Sequence, residues 1–472
     1  MKERLVVIGG DAGGMAAASQ ARRMRGPEEL EIVALERGDY TSYSACGIPY
    51  WVGDQVAAGP GSLVARDPQT FRDKFAVDVR LRHRVTSIDL SAGLVGVSDD
   101  GTGAELALPY DHLMIATGAE PVRPPWFTRQ IEDEVDGIHF AQTLPQGADL
   151  RDDLEVVPGG RAVICGGGYI GVEIADALLR RGMDVTVVQR SAEIMTALDP
   201  DIAAELRVAM EKAGVTVRTG NAATGVKHRD GRVAAVLLED GTEDGTELAA
   251  DLVVLGLGVR PRTSIAATAG LELGVSGGLV TDEQQRVRRA GQVLERVYAA
   301  GDCTEVWHRV LGRHAFIPLG THANKQSRVA GITIGGGAAS FAGAVGTAIT
   351  GFWSGDIEVE VGRTGLSCRE LSAEGRPYVE ATIHGTAISG YMPSPPSVTC
   401  RLVADPASGV ILGGQLIGGR GVAKRIDAVS LAVWHKLAAA DLVDADLGYC
   451  PPLSPTWDPI QIAARKLLAK LG

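Results

Sequence analysis

Sulfur is sparse in this chain and nowhere closely paired. Its six cysteines stand at 46, 165, 303, 368, 400 and 450, with no C-x-x-C among them. That spacing excludes a disulfide scaffold and a zinc site, which need thiols set close together or in register. The nine histidines are dispersed, again without metal-ligand spacing. Positive charge is also short: 46 Lys and Arg against 58 Asp and Glu leave −12 at pH 7. Nucleic acid and anionic membrane surfaces need basic patches, so neither is an expected partner. No long run of large apolar side chains occurs. The uncharged stretch 332–353 is mostly Gly, Ala, Ser and Thr, and no membrane span is expected there. The opening MKERLVVIGG is an apolar strand cut by glycine, not a secretory region. A cytoplasmic protein is expected.

What the chain has in quantity is glycine, 61 of 472 residues, marking many tight turns or close backbone approaches. The length exceeds what one core accommodates and points to about three domains. RLVVIGGDAGGMAAASQARR reads as strand, glycine turn and small-residue helix, and the next strand, EIVALER, ends in Glu36. Gly9, Gly13 and Gly14 let a pyrophosphate approach the helix N-terminus, and Glu36 accepts hydrogen bonds from a ribose. Asp11 stands where the middle glycine of the fingerprint belongs. Beside phosphates, its carboxylate is tolerable only if it turns inward as a helix cap.

The pattern returns at RAVICGGGYIGVEIADALLRRGMDVTVVQR, where Gly166, Gly168 and Gly171 complete G-x-G-x-x-G. This time the second strand ends in Gln189-Arg190. An acid there would repel a 2′-phosphate, whereas an amide followed by a guanidinium receives one, which favours NADPH over NADH. HLMIATGAEP, with Thr117 and Gly118, and VVLGLGVRP, with Gly258, each close a strand in a small-residue turn. RVYAAGDCTE ends a strand at Asp302, placed to hydrogen-bond a polyol.

In this order the segments resemble the pyridine nucleotide–disulfide oxidoreductases over essentially the whole chain. The resemblance implies an α/β fold with two Rossmann-like dinucleotide-binding domains and a C-terminal α+β dimerisation domain. Residues 1–144 and 276–344 would bind FAD, 145–275 the nicotinamide cofactor, and 345–472 would dimerise. Within the last segment, alternating stretches such as RPYVEATIHG and VTCRLVADPASGVILGGQLIGG predict an antiparallel sheet. AKRIDAVSLAVWHKLAAADL predicts an amphipathic helix.

Cys46 lies in TSYSACGIPYWVGD. If CGIPYWVG opens a helix, Pro49 falls in its first turn and Cys46 sits at the N-terminus, where a thiolate is favoured. Two-cysteine members of the family carry C-x-x-x-x-C, but the residue five before Cys46 is Thr41. The pattern of Ser42 and Cys46-Gly47 resembles the single-cysteine branch, which includes coenzyme A-disulfide reductases, NADH oxidases and NADH peroxidases. In that branch the sulfur's partner is a bound thiol or an oxygen. The oxidases and peroxidases carry a histidine in the first glycine turn; the matching residue here is Ala12. The coenzyme A-disulfide reductases bring two tyrosines from the other subunit, matched by Tyr391 and Tyr449. The implied reaction is NAD(P)H-dependent reduction of a small disulfide or persulfide at Cys46, in a homodimer whose site the partner completes. Gln20, Arg23, Ser42, Ala45 and Asn324 match positions lining the thiol channel, and Arg22 or Arg23 could meet a phosphate. Two basic positions of related reductases are absent, since Trp457 and Phe75 stand there. Cys165 and Cys303 end strands and are read as packing. Cys450, followed by a proline pair, carries no signal aiming it at Cys46 of the partner subunit.

Overall fold

The computed structural model describes residues 2–56, 59–239 and 245–471. The chain divides into two compact units, one made of 1–47, 58–122 and 259–344, the other of 48–57, 123–258 and 345–472.

The first unit is built on a six-stranded sheet. Its strands run in the order Arg286–Arg289, Gln292–Ala299, His112–Ile115, Glu3–Ile8, Leu30–Leu35, Val77–Arg80. Apart from the hairpin at one edge, every pairing is parallel. Strands buried on both faces need continuous apolar runs, and RLVVI and EIVAL supply them. The central strand has its sequence neighbour, Leu30–Leu35, on one side and the distant His112–Ile115 on the other, so the crossover direction reverses at its C-terminal end. Ligands of open α/β sheets bind at such a point. The helix that follows, Ala12–Met24, is rich in small residues and lies against the helix Gly320–Ile334. A Cβ on Gly331 would come within 2.6 Å of the Ala17 carbonyl oxygen, so this close crossing requires glycine.

The second unit repeats the plan. Five parallel strands run in the order Thr216–Thr219, Asp184–Gln189, Arg161–Cys165, Leu252–Leu255, Ile138–His139. The units part at 122/123 and 258/259, where the sequence reading set its joins at 144/145 and 275/276. The reason is pairing: Ile138–His139 adds an edge strand to the second sheet, while Val259–Pro261 pairs with Ala119–Pro121 of the first unit.

The second unit also carries a five-stranded antiparallel sheet, ordered Ala348–Phe352, Val359–Gly365, Ile411–Gly418, Ser397–Ala404, Val379–Thr386. Helices Val422–His435 and Pro459–Leu471 pack on it. The single long helix read from AKRIDAVSLAVWHKLAAADL is in fact two. Lys436 adopts φ +55° and stops the first, and Ala439–Val443 forms a second. Among the described residues no helix is long and apolar enough to cross a membrane, and no cluster of His, Cys, Asp and Glu could hold a metal.

Candidate functional site

The first glycine turn has the geometry that dinucleotide binding requires. Gly9 has φ +108°, and a Cβ there would lie 2.1 Å from the Ala116 carbonyl oxygen. At Gly14 a Cβ would lie 1.9 Å from the Gly9 oxygen, so helix and strand meet only through glycine. Gly13 is looser, 3.3 Å from the Ala300 oxygen. The Glu36 carboxylate accepts from Gly10 N at 2.7 Å and from Gly38 N at 2.7 Å, which fixes it at the sheet's C-terminal edge beside the turn. Thr117 donates through Oγ1 to the Arg262 carbonyl at 2.5 Å, and Gly118, at φ +67°, accepts from Arg262 N. Burial pushes the Asp302 carboxyl up to about 6. Gln326, which carries no signal in the sequence, accepts from Gly301 N at 3.1 Å and so holds the turn before Asp302.

Asp11 does not behave as a cap. It occupies the N-cap position, but its carboxyl makes no capping bond; Oδ1 accepts from Tyr43 N at 3.2 Å instead. Burial first, and the Glu36 charge second, push this carboxyl up to about 7. A group turned toward Tyr43 and holding its proton below that pH is compatible with a neighbouring pyrophosphate, so this turn fits FAD.

The second turn differs in an informative way. Gly166 has φ +110° and Gly171 would bring a Cβ to 1.9 Å from the Gly166 oxygen, as at Gly9 and Gly14. At Gly168, however, a Cβ would meet nothing within 4 Å, and its φ of −81° suits any residue. No described residue demands glycine there. An outside ligand that must approach the backbone would. Gln189 mirrors Glu36: Oε1 accepts from Gly167 N at 2.8 Å, while Nε2 donates to Ser191 Oγ at 3.1 Å. Arg190 is exposed, and Gly258, at φ +92°, opens into free space. These residues fit a nicotinamide dinucleotide.

Cys46 is exposed and belongs to the first unit. It lies in a single 3₁₀ turn, Ala45–Gly47, that leads into the short helix Ile48–Val52, rather than at the start of a regular helix as the sequence suggested. The loop before it is pinned to the glycine turn. Thr41 Oγ1 donates to the Gly10 carbonyl at 2.5 Å, Ser42 N donates to the same oxygen at 2.9 Å, and Tyr43 N meets Asp11. Thr41, at the position of the second sulfur in two-cysteine members, is 1% exposed, so its hydroxyl is a tether and no redox partner.

Beside this loop lies a groove of about 370 Å³. Four of the five residues expected along a thiol channel line it, namely Gln20, Arg23, Ser42 and Asn324; Ala45 does not. Arg22 points elsewhere, its guanidinium donating to the carbonyls of Phe75, Arg25 and Ala76. Arg66 and Arg328, unremarked in the sequence, also line the groove. Arg328 was findable: it follows Asn324 by four residues on one helix and so shares its face. Arg66 carries no local signal, because loop pairing places it.

Tyr391 and Tyr449 belong to the second unit and hydrogen-bond each other, which raises the Tyr391 phenol above its ordinary value. Their exposure, 74% and 52%, leaves both free to meet a partner. Cys450 is exposed beside them. Cys165 and Cys303 are buried, and burial pushes their thiols up to about 12 and about 11, which makes them inert. Cys400 is buried as well and raised in the same direction.

The chain is similar to known proteins over nearly its whole length. The family model described as pyridine nucleotide-disulphide oxidoreductase matches residues 3–326, and that of the family's dimerisation domain matches residues 357–459. The chain is 32% identical over 469 residues to the NAD(P)H coenzyme A polysulfide/persulfide reductase of Pyrococcus horikoshii, with 99% of each covered. It is 25% identical over 464 residues to the coenzyme A disulfide reductase of Staphylococcus epidermidis, covering 98% of this chain and 99% of that one. Among solved structures, a NAD-dependent persulfide reductase from A. fulgidus aligns with a TM-score of 0.91 at 32% identity, over 99% of this chain and 83% of that one.

Proposed function

We propose, from the premise that this chain belongs to the pyridine nucleotide-disulphide oxidoreductase family, that it reduces a low-molecular-weight disulfide of the coenzyme A class with electrons from NAD(P)H, through Cys46 alone. One observation carries the reading: the exposed Cys46 follows a loop bonded to the first glycine turn, while Thr41 fills the second sulfur's position with a buried hydroxyl. Relatives named for coenzyme A disulfide and coenzyme A polysulfide/persulfide support the substrate class.

Gly9, Gly13, Gly14, Glu36, Thr117, Gly118 and Asp302 would hold FAD, which when bound relays the two electrons of a hydride from nicotinamide to sulfur. Gly166, Gly168, Gly171 and Gly258 would admit the nicotinamide dinucleotide. The neutral Gln189 and the exposed Arg190 favour its 2′-phosphorylated form. The Cys46 thiolate attacks one sulfur of the disulfide, forming a Cys46–S–S–R bond and releasing RS⁻. A proton from Tyr449 of the partner subunit converts that leaving group to RSH, with Tyr391 backing the phenol by the hydrogen bond the two share. Two electrons and a proton from NAD(P)H then break the mixed disulfide, returning Cys46 to thiolate and releasing the second RSH, while a proton from solvent restores the Tyr449 phenol. The match to the family's dimerisation domain supports a homodimer, and in this reading each subunit completes the other's site. Ala12, in place of a histidine, leaves no acid–base side chain for peroxide chemistry at that position and favours sulfur over oxygen as the acceptor.

The test compares wild-type and Cys46→Ser proteins in NAD(P)H-dependent reduction of coenzyme A disulfide, alongside intact mass before and after reduction. Expected are turnover lost in the variant and a thiol adduct on wild-type Cys46 that NADPH removes. A Cys46→Ser protein that reduces the disulfide at the wild-type rate sinks the proposal.

A further inference from the structure

Arg23, Arg66 and Arg328 line the groove beside the cysteine loop. Among the described residues none of these three forms an ion pair with a carboxylate; Arg23 reaches only Gln20 Oε1, at 3.4 Å. In a chain of net charge −12, three unpaired guanidiniums in one concavity mark a place for an anion.

Arg66 is the most constrained of them. Ala65 N donates to the Ser42 carbonyl at 2.8 Å, Ser44 N donates to Leu63 O at 2.8 Å, and Tyr43 bridges Val64 in antiparallel fashion. The segment bearing Arg66 is thus paired directly to the loop that leads to Cys46. Its guanidinium carbon lies 5.5 Å from the centre of the Phe75 ring. That ring arrives by local means. Asp67 caps the helix Pro68–Phe75 through Thr70 N at 2.7 Å, and Phe75 closes the helix, half-buried against the first unit's core. This contact with the ring face holds the guanidinium in place and leaves N–H donors for a planar or phosphate oxyanion.

We propose that Arg66, shelved on Phe75, is the residue that selects a disulfide whose thiol carries phosphate, with Arg23 and Arg328 as its companions. This rests on the reading of Cys46 as the exchanging sulfur. Arg66 then supplies charge to the groove, and the Phe75 ring positions it.

The experiment uses the flavin-loaded protein as wild type, Arg66→Gln, Arg66→Lys and Phe75→Leu. Each is assayed with coenzyme A disulfide and with pantethine, the same kind of disulfide without phosphates. In Arg66→Gln the ratio of kcat/KM for coenzyme A disulfide to that for pantethine falls about 10-fold, mainly through KM. Arg66→Lys recovers part of the loss and Phe75→Leu loses about 3-fold. A ratio within twofold of wild type in Arg66→Gln overturns the assignment. Binding of adenosine 3′,5′-bisphosphate to each protein decides it independently of turnover: about 10-fold weaker binding in Arg66→Gln supports the proposal, and equal binding overturns it. A wild-type protein that reduces neither disulfide defeats the reading of Cys46, and the binding measurement still decides Arg66.

Discussion

Replacing Gly168 by alanine should separate cofactor binding from folding. At this position φ is −81° and ψ −168°, a conformation alanine adopts freely, and its Cβ would meet nothing within 4 Å. Alanine caps a helix less well than glycine, by about 0.5 kcal/mol. It also restricts the unfolded chain, a gain of roughly 0.4–1 kcal/mol. The two nearly cancel, so stability should stay within about 1 kcal/mol, a Tm change of roughly 2–4 °C at most. Cofactor binding has no such compensation. A methyl group in the space left for the pyrophosphate displaces it from the turn, and one lost charge-assisted bond is worth about 1.5–3 kcal/mol, or roughly 10- to 100-fold in Kd. Gly171→Ala is the control: its Cβ would fall 1.9 Å from the Gly166 oxygen, so it should unfold the domain or cost at least about 3 kcal/mol. Thermal melts and fluorescence titration with NADPH measure both quantities. A Gly168→Ala protein that binds NADPH within twofold of wild type would show that no ligand approaches this backbone, and the nicotinamide assignment would fail with it.

Three further outcomes follow from the site. Thr41→Val removes the bond to the Gly10 carbonyl at nearly constant volume; it should cost about 1 kcal/mol in chemical denaturation and change the alkylation rate of Cys46, with Thr41→Ser restoring both. Asp11 is held near 7 in the fold, where Glu36 and Asp302 face it, against about 3.9 unfolded. Between those values the folded state keeps a proton that the unfolded state has lost, so stability contributed by this group falls as pH rises from about 4 to 7. Flavin-free Asp11→Asn should therefore melt above wild type at pH 8 and level with it at pH 4; equal melting at both would refute the assigned burial. Tyr449→Phe removes the hydrogen bond that leads the upward shift at Tyr391, so ultraviolet titration should find that phenol ionising at lower pH than in wild type.

Both glycine turns and their carboxylate or amide partners were legible in the chain, because strand, turn and helix follow one another within about thirty residues and each step obeys a local rule. Glu36 and Gln189 bond the amides of Gly10 and Gly167 in the same manner, which the repeated spacing already implied. Where local rules compete, the sequence misled. The stretch 423–442 has helical periodicity throughout, yet a left-handed Lys436 divides it. Asp11 looks like a cap, but a distant amide, that of Tyr43, takes its carboxyl.

By itself, the sequence determined that two dinucleotide folds are present and that a lone cysteine follows the first. Short-range steric demands on glycine and hydrophobic periodicity are written into neighbouring residues. Only the tertiary structure decided which arginines share the groove and which of them is spent. Arg22 turns to backbone carbonyls while its neighbour Arg23 lines the groove with Arg66 and Arg328, residues far apart in the chain. A side chain's partner depends on which strands pair and which helices cross, and those contacts join segments that carry no record of one another.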